Sequence, residues 1–554
     1  MLWMTDRDRP DAEHRRHASS SDRPRISIVD ALQAKLRPDG NGFEDDVRLP
    51  DETAKPGEFG WGHGTLDNMT WRRFPHRENP DIERQARRIH AALKSYAARP
   101  SDARLVELVT TLQGPSAGLF DEVTALLTEQ PIPNRSIAHS GVRRIAETTS
   151  RREELKLALV LLGFVGDSSD NGLLKLAGMH GEFTPYAALA ISLVNRDPVP
   201  ALLDLAPATN GWGRVTIIES LLHHDVEPVR DYILRRGFKG LGFELGFEVA
   251  LWVANQCRLL DAIRGAGDDA ELIRGVGDVL YCLAMSPYGE FEQYKDGAAA
   301  TIEFLRHFEP VADRLGDYGT VETLEHWLKF DVEGEGPVQA WSAEDRASAA
   351  GLARAILGKP MWRGAILAAL DDPKQRNLAI QLSGGFDLPI QGRVVGWLRE
   401  NPLDGYLWFR LCNAPTAGQM DEALALANEI LDVAAIATGP EESMGLGPGF
   451  ERHQCVDSLL QALRGLPDGV SPRRPNLPDQ SGFPGKGEEI LLAAMRSPVT
   501  RQRNVALKAI EAWPQELITP RLYAAVESAT YDPVVKTRQQ ADGLFKKMRR
   551  PLAN

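Results

Sequence analysis

The residues with the most chemical capacity in this chain fall in one short stretch, Phe59-Gly60-Trp61-Gly62-His63-Gly64-Thr65-Leu66-Asp67-Asn68-Met69-Thr70-Trp71-Arg72-Arg73-Phe74-Pro75-His76. His63, Asp67 and His76 are residue types that hold metals or move protons, and the intervening glycines would let a loop gather them. Trp61, Trp71, Arg72 and Arg73 could form a recognition patch, because aromatic faces and planar guanidinium groups bind flat and charged partners. The same stretch can instead act as a cover, with Trp61, Trp71 and Phe74 shielding apolar surface at the end of the first helix pair.

Other motifs carry less. Gly114-Pro115-Ser116-Ala117-Gly118 matches a nucleophile elbow, which needs a strand running into a strained turn. The stripe before it, Leu105, Leu108, Val109 and Leu112, has helical spacing, so a loop between two helices is expected. Gly265-Ala266-Gly267-Asp268 and Gly275-Val276-Gly277-Asp278 approach a dinucleotide fingerprint without the buried strand that such a site requires. Both are expected to be turns that separate or bend helices. No His-Glu-x-x-His, Cys-x-x-Cys or Walker lysine motif occurs, so neither a metal nor a cofactor is expected. Cys257, Cys282, Cys412 and Cys455 sit in apolar, helix-like runs as buried free thiols, a usage that suits a reducing compartment.

The elements that would position these residues are helices. Ile82, Ala86, Ile89, Leu93 and Tyr96 recur every three or four residues, and the same grammar continues to the C-terminus. Alternating β-branched runs are nearly absent. Five helix starts share a polar residue followed by Pro: Asp197-Pro198, Glu227-Pro228, Asp372-Pro373, Ser497-Pro498 and Asp532-Pro533. Pro suits the first turn, where its missing N–H has no intrahelical partner. Pro498 and Pro533 are 35 residues apart, the length of one helical hairpin.

Asp532-Pro533-Val534-Val535-Lys536-Thr537-Arg538-Gln539-Gln540-Ala541, preceded by the helix at 521–528, resembles the second helix of HEAT-like repeats, and Ser497 to Trp513 is a second copy. The resemblance covers four or five units. It implies an all-α chain built as an α-solenoid of stacked antiparallel helical hairpins with an extended binding surface. It implies no chemistry. Terminal repeats of such arrays need a cap, which favours the cover reading of the aromatic stretch. The run from Gly211-Trp212-Gly213-Arg214 to Arg235-Arg236-Gly237-Phe238 resembles a segment of uncharacterised bacterial helical-repeat proteins, some of them labelled limonene hydroxylases. A haem-thiolate hydroxylase needs a cysteine in a Gly-rich haem loop, which none of the four cysteines has, so that activity is not carried over.

Composition sets the boundaries. The 554 residues carry a formal charge of −13, which argues against sequence-independent nucleic-acid binding. No apolar run reaches the roughly 20 residues needed to cross a bilayer, so no membrane partner is expected. No secretory signal opens the chain, and a cytoplasmic location is expected. Residues 1–80 read as an N-terminal arm with a disordered start and the aromatic capping segment, residues 81–330 as a helical-repeat block, and 342–464 as a second helical block. A Pro/Gly-rich linker, 465–487, precedes C-terminal HEAT-like hairpins at 488–554. The expected function is a scaffold that binds another protein or a peptide through an extended groove, with Trp252, Trp327, Trp362, Trp397 and Trp408 as either anchors or core. The alternatives are an enzyme or a metal- or small-ligand-binding protein with its site near His63, Asp67 and His76, and a nucleic-acid-binding HEAT-like protein.

Overall fold

A computed structural model describes residues 26–44, 47–52, 62–73, 79–114, 118–329, 341–413, 415–465 and 482–549, the side chains of Trp71 and Arg73 excepted. Among these residues there are 29 α-helices and no strand. Of the five polar-Pro steps, only Glu227-Pro228 places its proline in the first turn of a helix; Pro198, Pro373, Pro498 and Pro533 lie ahead of helices that begin at Val199, Arg376, Thr500 and Val535. Four of the five polar-Pro steps close the same small ring, in which the residue before Pro accepts the N–H two positions on. Val199 N donates to Asp197 Oδ1 at 3.1 Å, Lys374 N to Asp372 Oδ1 at 3.0 Å, Val499 N to Ser497 Oγ at 3.1 Å and Val534 N to Asp532 Oδ1 at 2.9 Å. Glu227 departs from this pattern: it lies inside its helix, and Val229 N turns to the Val226 carbonyl.

The chain divides into two compact units, Met1–Glu52 with Arg73–Ala201, and Thr53–Arg72 with Leu202–Asn554. In the first, the Arg152–Val165 helix is apolar on nearly every side and buried along most of its length. Helices Arg135–Thr148 and Thr184–Val194 pack on it. Its one buried cation, Lys156, pairs with Glu182 at 2.6 Å and Glu153 at 3.0 Å, which offsets its desolvation. A short helix, Ile28–Gln33, places Ile28 and Leu32 in this core. Val47 and Leu49 join them, and Asp51 takes the backbone N–H of Arg152 at 2.9 Å. Residues 1–25 of the arm lie outside the described residues.

In the second unit, two successive helix pairs close the chain, Glu488–Met495 with Thr500–Glu511 and Pro520–Ala529 with Val535–Met548. Their second helices carry the same device 35 residues apart. Arg503 Nη1 donates to the carbonyl of Ser497, and Arg538 Nη1 to that of Asp532, both at 2.8 Å and both six residues back. The two pairs are then joined by a dry ion pair: Arg503 Nε and Nη2 reach Asp532 Oδ2 and Oδ1 at 2.7 and 3.1 Å. Ahead of them, the loop at 439–449 runs beside the Thr500 helix start, with Thr500 N donating to Ser443 O at 3.1 Å.

Three expectations need correction or refinement. Gly265-x-Gly267 is a turn, as expected, with Gly267 at φ +54°. Gly275 and Gly277, however, lie within the unbroken Ala270–Met285 helix. They are there for closeness: a Cβ on Gly275 would overlap the Leu234 carbonyl oxygen, and one on Gly277 would sit 2.9 Å from Phe304. The helical pattern is refined after Glu227, where the α-helix Glu227–Tyr232 opens into a π-turn, Ile233–Gly237, whose carbonyls Arg214 gathers. Of the five tryptophans, Trp362 and Trp408 are core, each donating its indole N–H to a carbonyl six residues back. Trp252, Trp327 and Trp397 are half-buried against His223, Phe291 and Arg376 respectively.

Candidate functional site

Of the seven patch residues, His63, Asp67 and Arg72 have described side chains. Trp71 and Arg73 lie on the helix Thr65–Arg73, while Trp61 and His76 fall outside the described residues. The helix begins after a turn in which Gly64 adopts φ +75°, and Thr65 N donates to Gly62 O at 3.0 Å. His63 is half-buried on this turn, and Asp67 and Asn68 are buried on the first turn of the helix.

This helix docks on the second distinctive segment of the sequence, within the same compact unit. Asn68 Oδ1 accepts from Thr216 Oγ1 at 3.2 Å, and Thr216 lies on the helix Gly211–Leu222. One turn further along, Arg72 enters a pair of carboxylates. Its Nη2 is 2.5 Å from Glu219 Oε2, and its Nη1 is 3.8 Å from Glu248 Oε2 on the helix Phe243–Gln256. The guanidinium also lies 5.3 Å from the centre of the Trp212 ring, a cation–π contact. All three charged side chains are largely covered, with 18 % of Arg72, 28 % of Glu219 and 10 % of Glu248 exposed.

Burial dominates the electrostatics. It raises the Glu219 carboxyl above the usual range, Arg72 pulls it back, and the Glu248 charge adds to the rise. Glu290 is raised as well, first by burial and then, against a Ser286 hydrogen bond, by Glu248. The site is therefore a cation held among acids in a low-dielectric joint. What this arrangement does chemically is fasten: Arg72 is spent on Glu219 and Glu248, and Asn68 on Thr216. The sequence did carry a trace of the partners, since Glu219 in Val215-Thr216-Ile217-Ile218-Glu219-Ser220-Leu221-Leu222 is an acid in an otherwise apolar run. Nothing in the sequence ties it to a residue 147 positions earlier.

Other constellations resolve into structural roles. A serine, a histidine and an aspartate come together near the C-terminal pairs. Ser497 Oγ is 3.3 Å from His453 Nδ1, and Asp457 follows His453 by one helical turn. Ser497 is fully buried, gives its proton to Gln502 Oε1 at 2.7 Å and accepts the Val499 N–H, so the hydroxyl closes the turn ahead of the helix and has no route to a substrate. Before the Gly114–Gly118 motif the structure has a helix, Asp102–Thr111, where an elbow needs a strand. Pro115, Ser116 and Ala117 themselves lie outside the described residues. All four cysteines are buried free thiols, with burial pushing Cys257, Cys412 and Cys455 up to about 12 and Cys282 further in the same direction. They are protonated at neutral pH and poor nucleophiles. Among the described residues no group of three or more His, Cys, Asp or Glu is arranged to hold a metal, and no helix is long and apolar enough to cross a membrane.

In comparisons with known proteins, no family model matches the chain and no curated protein matches it.

Proposed function

We propose that this chain is a cytoplasmic helical-repeat scaffold of HEAT-like hairpins that binds another protein or a peptide along an extended helical surface, with residues 59–76 as a cap. The observation that carries the reading is the repeated joint at the C-terminus. Equivalent atoms recur after 35 residues, with Ser497 matching Asp532 and Arg503 matching Arg538, and one pair is bolted to the next through Arg503 and Asp532. A unit that repeats its internal bonds and passes one bond to its neighbour is how helical arrays extend, and extended arrays work as binding surfaces. Four buried, protonated thiols fit a reducing compartment. The docking of Arg72 and Asn68 onto the helices Gly211–Leu222 and Phe243–Gln256 supports a packing role for this stretch over a site at His63, Asp67 and His76.

The test is capture of partners from native lysate, followed by reconstitution from purified components with the wild-type chain and with Phe409→Glu, which charges an exposed apolar position. A stoichiometric protein or peptide partner, weakened by the substitution or by competing fragments of that partner, is expected. A folded chain that binds only a metal or small molecule near His63, or retains DNA in a salt-dependent way, would overturn the scaffold reading.

A further inference from the structure

The second unit contains a cavity of about 260 Å³ between the turn Ser383–Phe386, the helix Gln391–Glu400 and the helix Gly405–Cys412. Leu388, Val394 and Leu411 line its apolar part, and Gln391, Arg410 and Gln419 its polar part. The polar groups are unbalanced in a particular way. Gln391 Oε1 already accepts from Gln419 Nε2 at 2.6 Å, and Gln419 Oε1 from Thr416 N at 2.8 Å, so both amide oxygens are engaged. Gln391 Nε2 gives one hydrogen to Glu422 at 2.7 Å, which fixes the amide and leaves its second hydrogen; Gln419 Nε2 likewise retains one. Ser383 spends its proton on the Ile380 carbonyl at 2.7 Å.

Arg410 adds the charge. Its Nη2 donates to the same Ile380 carbonyl at a long 3.3 Å, its Nε is buried with no acceptor, and among the described residues no carboxylate stands within ion-pair distance of it. Arg503 and Arg72 in this unit are matched to acids, Asp532 and Glu219, and the buried Arg214 to the carbonyls of Pro207, Thr209, Arg236 and Gly237. A half-buried guanidinium with only a weak neutral partner is under-compensated, and an added anion gains a charge-assisted hydrogen bond there.

We propose that this cavity binds a small monocarboxylate, with its carboxylate on Arg410 and the spare amide hydrogens of Gln391 and Gln419, and its apolar body against Leu388, Val394 and Leu411. Size bounds the ligand. A cavity of roughly 150 Å³ takes a benzene ring, so 260 Å³ takes a molecule of about ten non-hydrogen atoms. The inference does not depend on the scaffold reading.

Calorimetric titration of the full chain with phenylacetate tests it, with phenylacetamide as the neutral control of equal size. Saturable binding of the acid, weaker for the amide and for Arg410→Gln by about 10- to 100-fold, is expected. Gln391→Glu supplies a second variant that leaves Arg410 in place: it puts a negative charge among the groups lining the cavity, facing the proposed carboxylate, and should abolish binding of the acid. A peptide ending in phenylalanine with a free carboxylate distinguishes the source of the ligand. Tighter binding than phenylacetate assigns the site to a chain terminus, and weaker binding to a free metabolite. Equal binding of acid and amide, or no saturation by the acid at about 10 mM, would overturn the proposal.

Discussion

Arg503 and Arg72 each hold two segments of the same compact unit together, and their surroundings differ in nearly every respect that matters. Arg503 is 1 % exposed and Asp532 2 %, and every contact is matched: two hydrogen bonds to the carboxylate and two to the carbonyls of Ser497 and Pro498. Asp532 also caps Val534 N, so neither partner could leave without orphaning the other. Arg72 faces two carboxylates at unequal distances, one of which, Glu219, is raised by its burial, and a ring contact supplies the rest. The first joint links sequence neighbours within a repeating pattern; the second brings back a helix from a distant part of the chain. Satisfied geometry makes a permanent bolt, whereas surplus negative charge makes a fastening that responds to conditions.

The largest effect should come from the bolt. Arg503→Ala leaves Asp532 buried and uncompensated, at a cost of about 3–5 kcal/mol. Hydrogen exchange should show protection lost together across Thr500–Glu511 and Val535–Met548, while Arg503→Met combined with Asp532→Leu recovers most of it. If the single variant exchanges like wild type, the bolt is ornamental and the comparison fails. A smaller effect, about 1–3 kcal/mol, is expected for Arg72→Ala, confined to the Thr65–Arg73 helix. Limited proteolysis should then cut within 62–73 first, with the C-terminal pairs unaffected; a global loss of stability would mean that both joints are of one kind.

The smallest effect is the dependence of the second joint on pH. The folded-state pKa of Glu219 lies above its unfolded value, so the folded chain holds that proton more tightly. The stability this contributes is fully present below the unfolded value of about 4.3 and is lost as pH rises through the folded one. Exchange protection of Thr65–Arg73, corrected for intrinsic rates, should therefore be greater near pH 5 than near pH 8, and Glu219→Gln should flatten the profile. Weaker protection at the lower pH would reverse the assigned role of burial.

These two joints also mark how far the sequence could be read. The polar-Pro steps were legible as helix approaches because they are local: in four of the five, the residue before Pro and the N–H it accepts lie two residues apart, although the proline itself stands ahead of the helix and not in its first turn. Helix faces were legible for the same reason, with Ala86, Ile89, Leu93 and Tyr96 buried on one stripe. The partners of Arg72 were not, since an acid in an apolar run announces a need for a cation without naming which one. Gly275 and Gly277 misled because a glycine serving a turn and a glycine serving close approach look identical in one dimension. The cavity beside Arg410 left no motif, being assembled from a turn and two helices whose polar residues are individually ordinary.

The crossing at Gly275 has a mechanical consequence. Where that helix meets the π-turn, main chain lies against main chain, with the Leu234 carbonyl occupying the space of a side chain. Most helix contacts are cushioned by rotamers that can readjust under load, and this one has no such cushion. Under an external force the two segments must move as one piece or part abruptly. The crossing should act as a rigid hub, and compliance within the unit has to come from the side-chain-mediated contacts on either side of it.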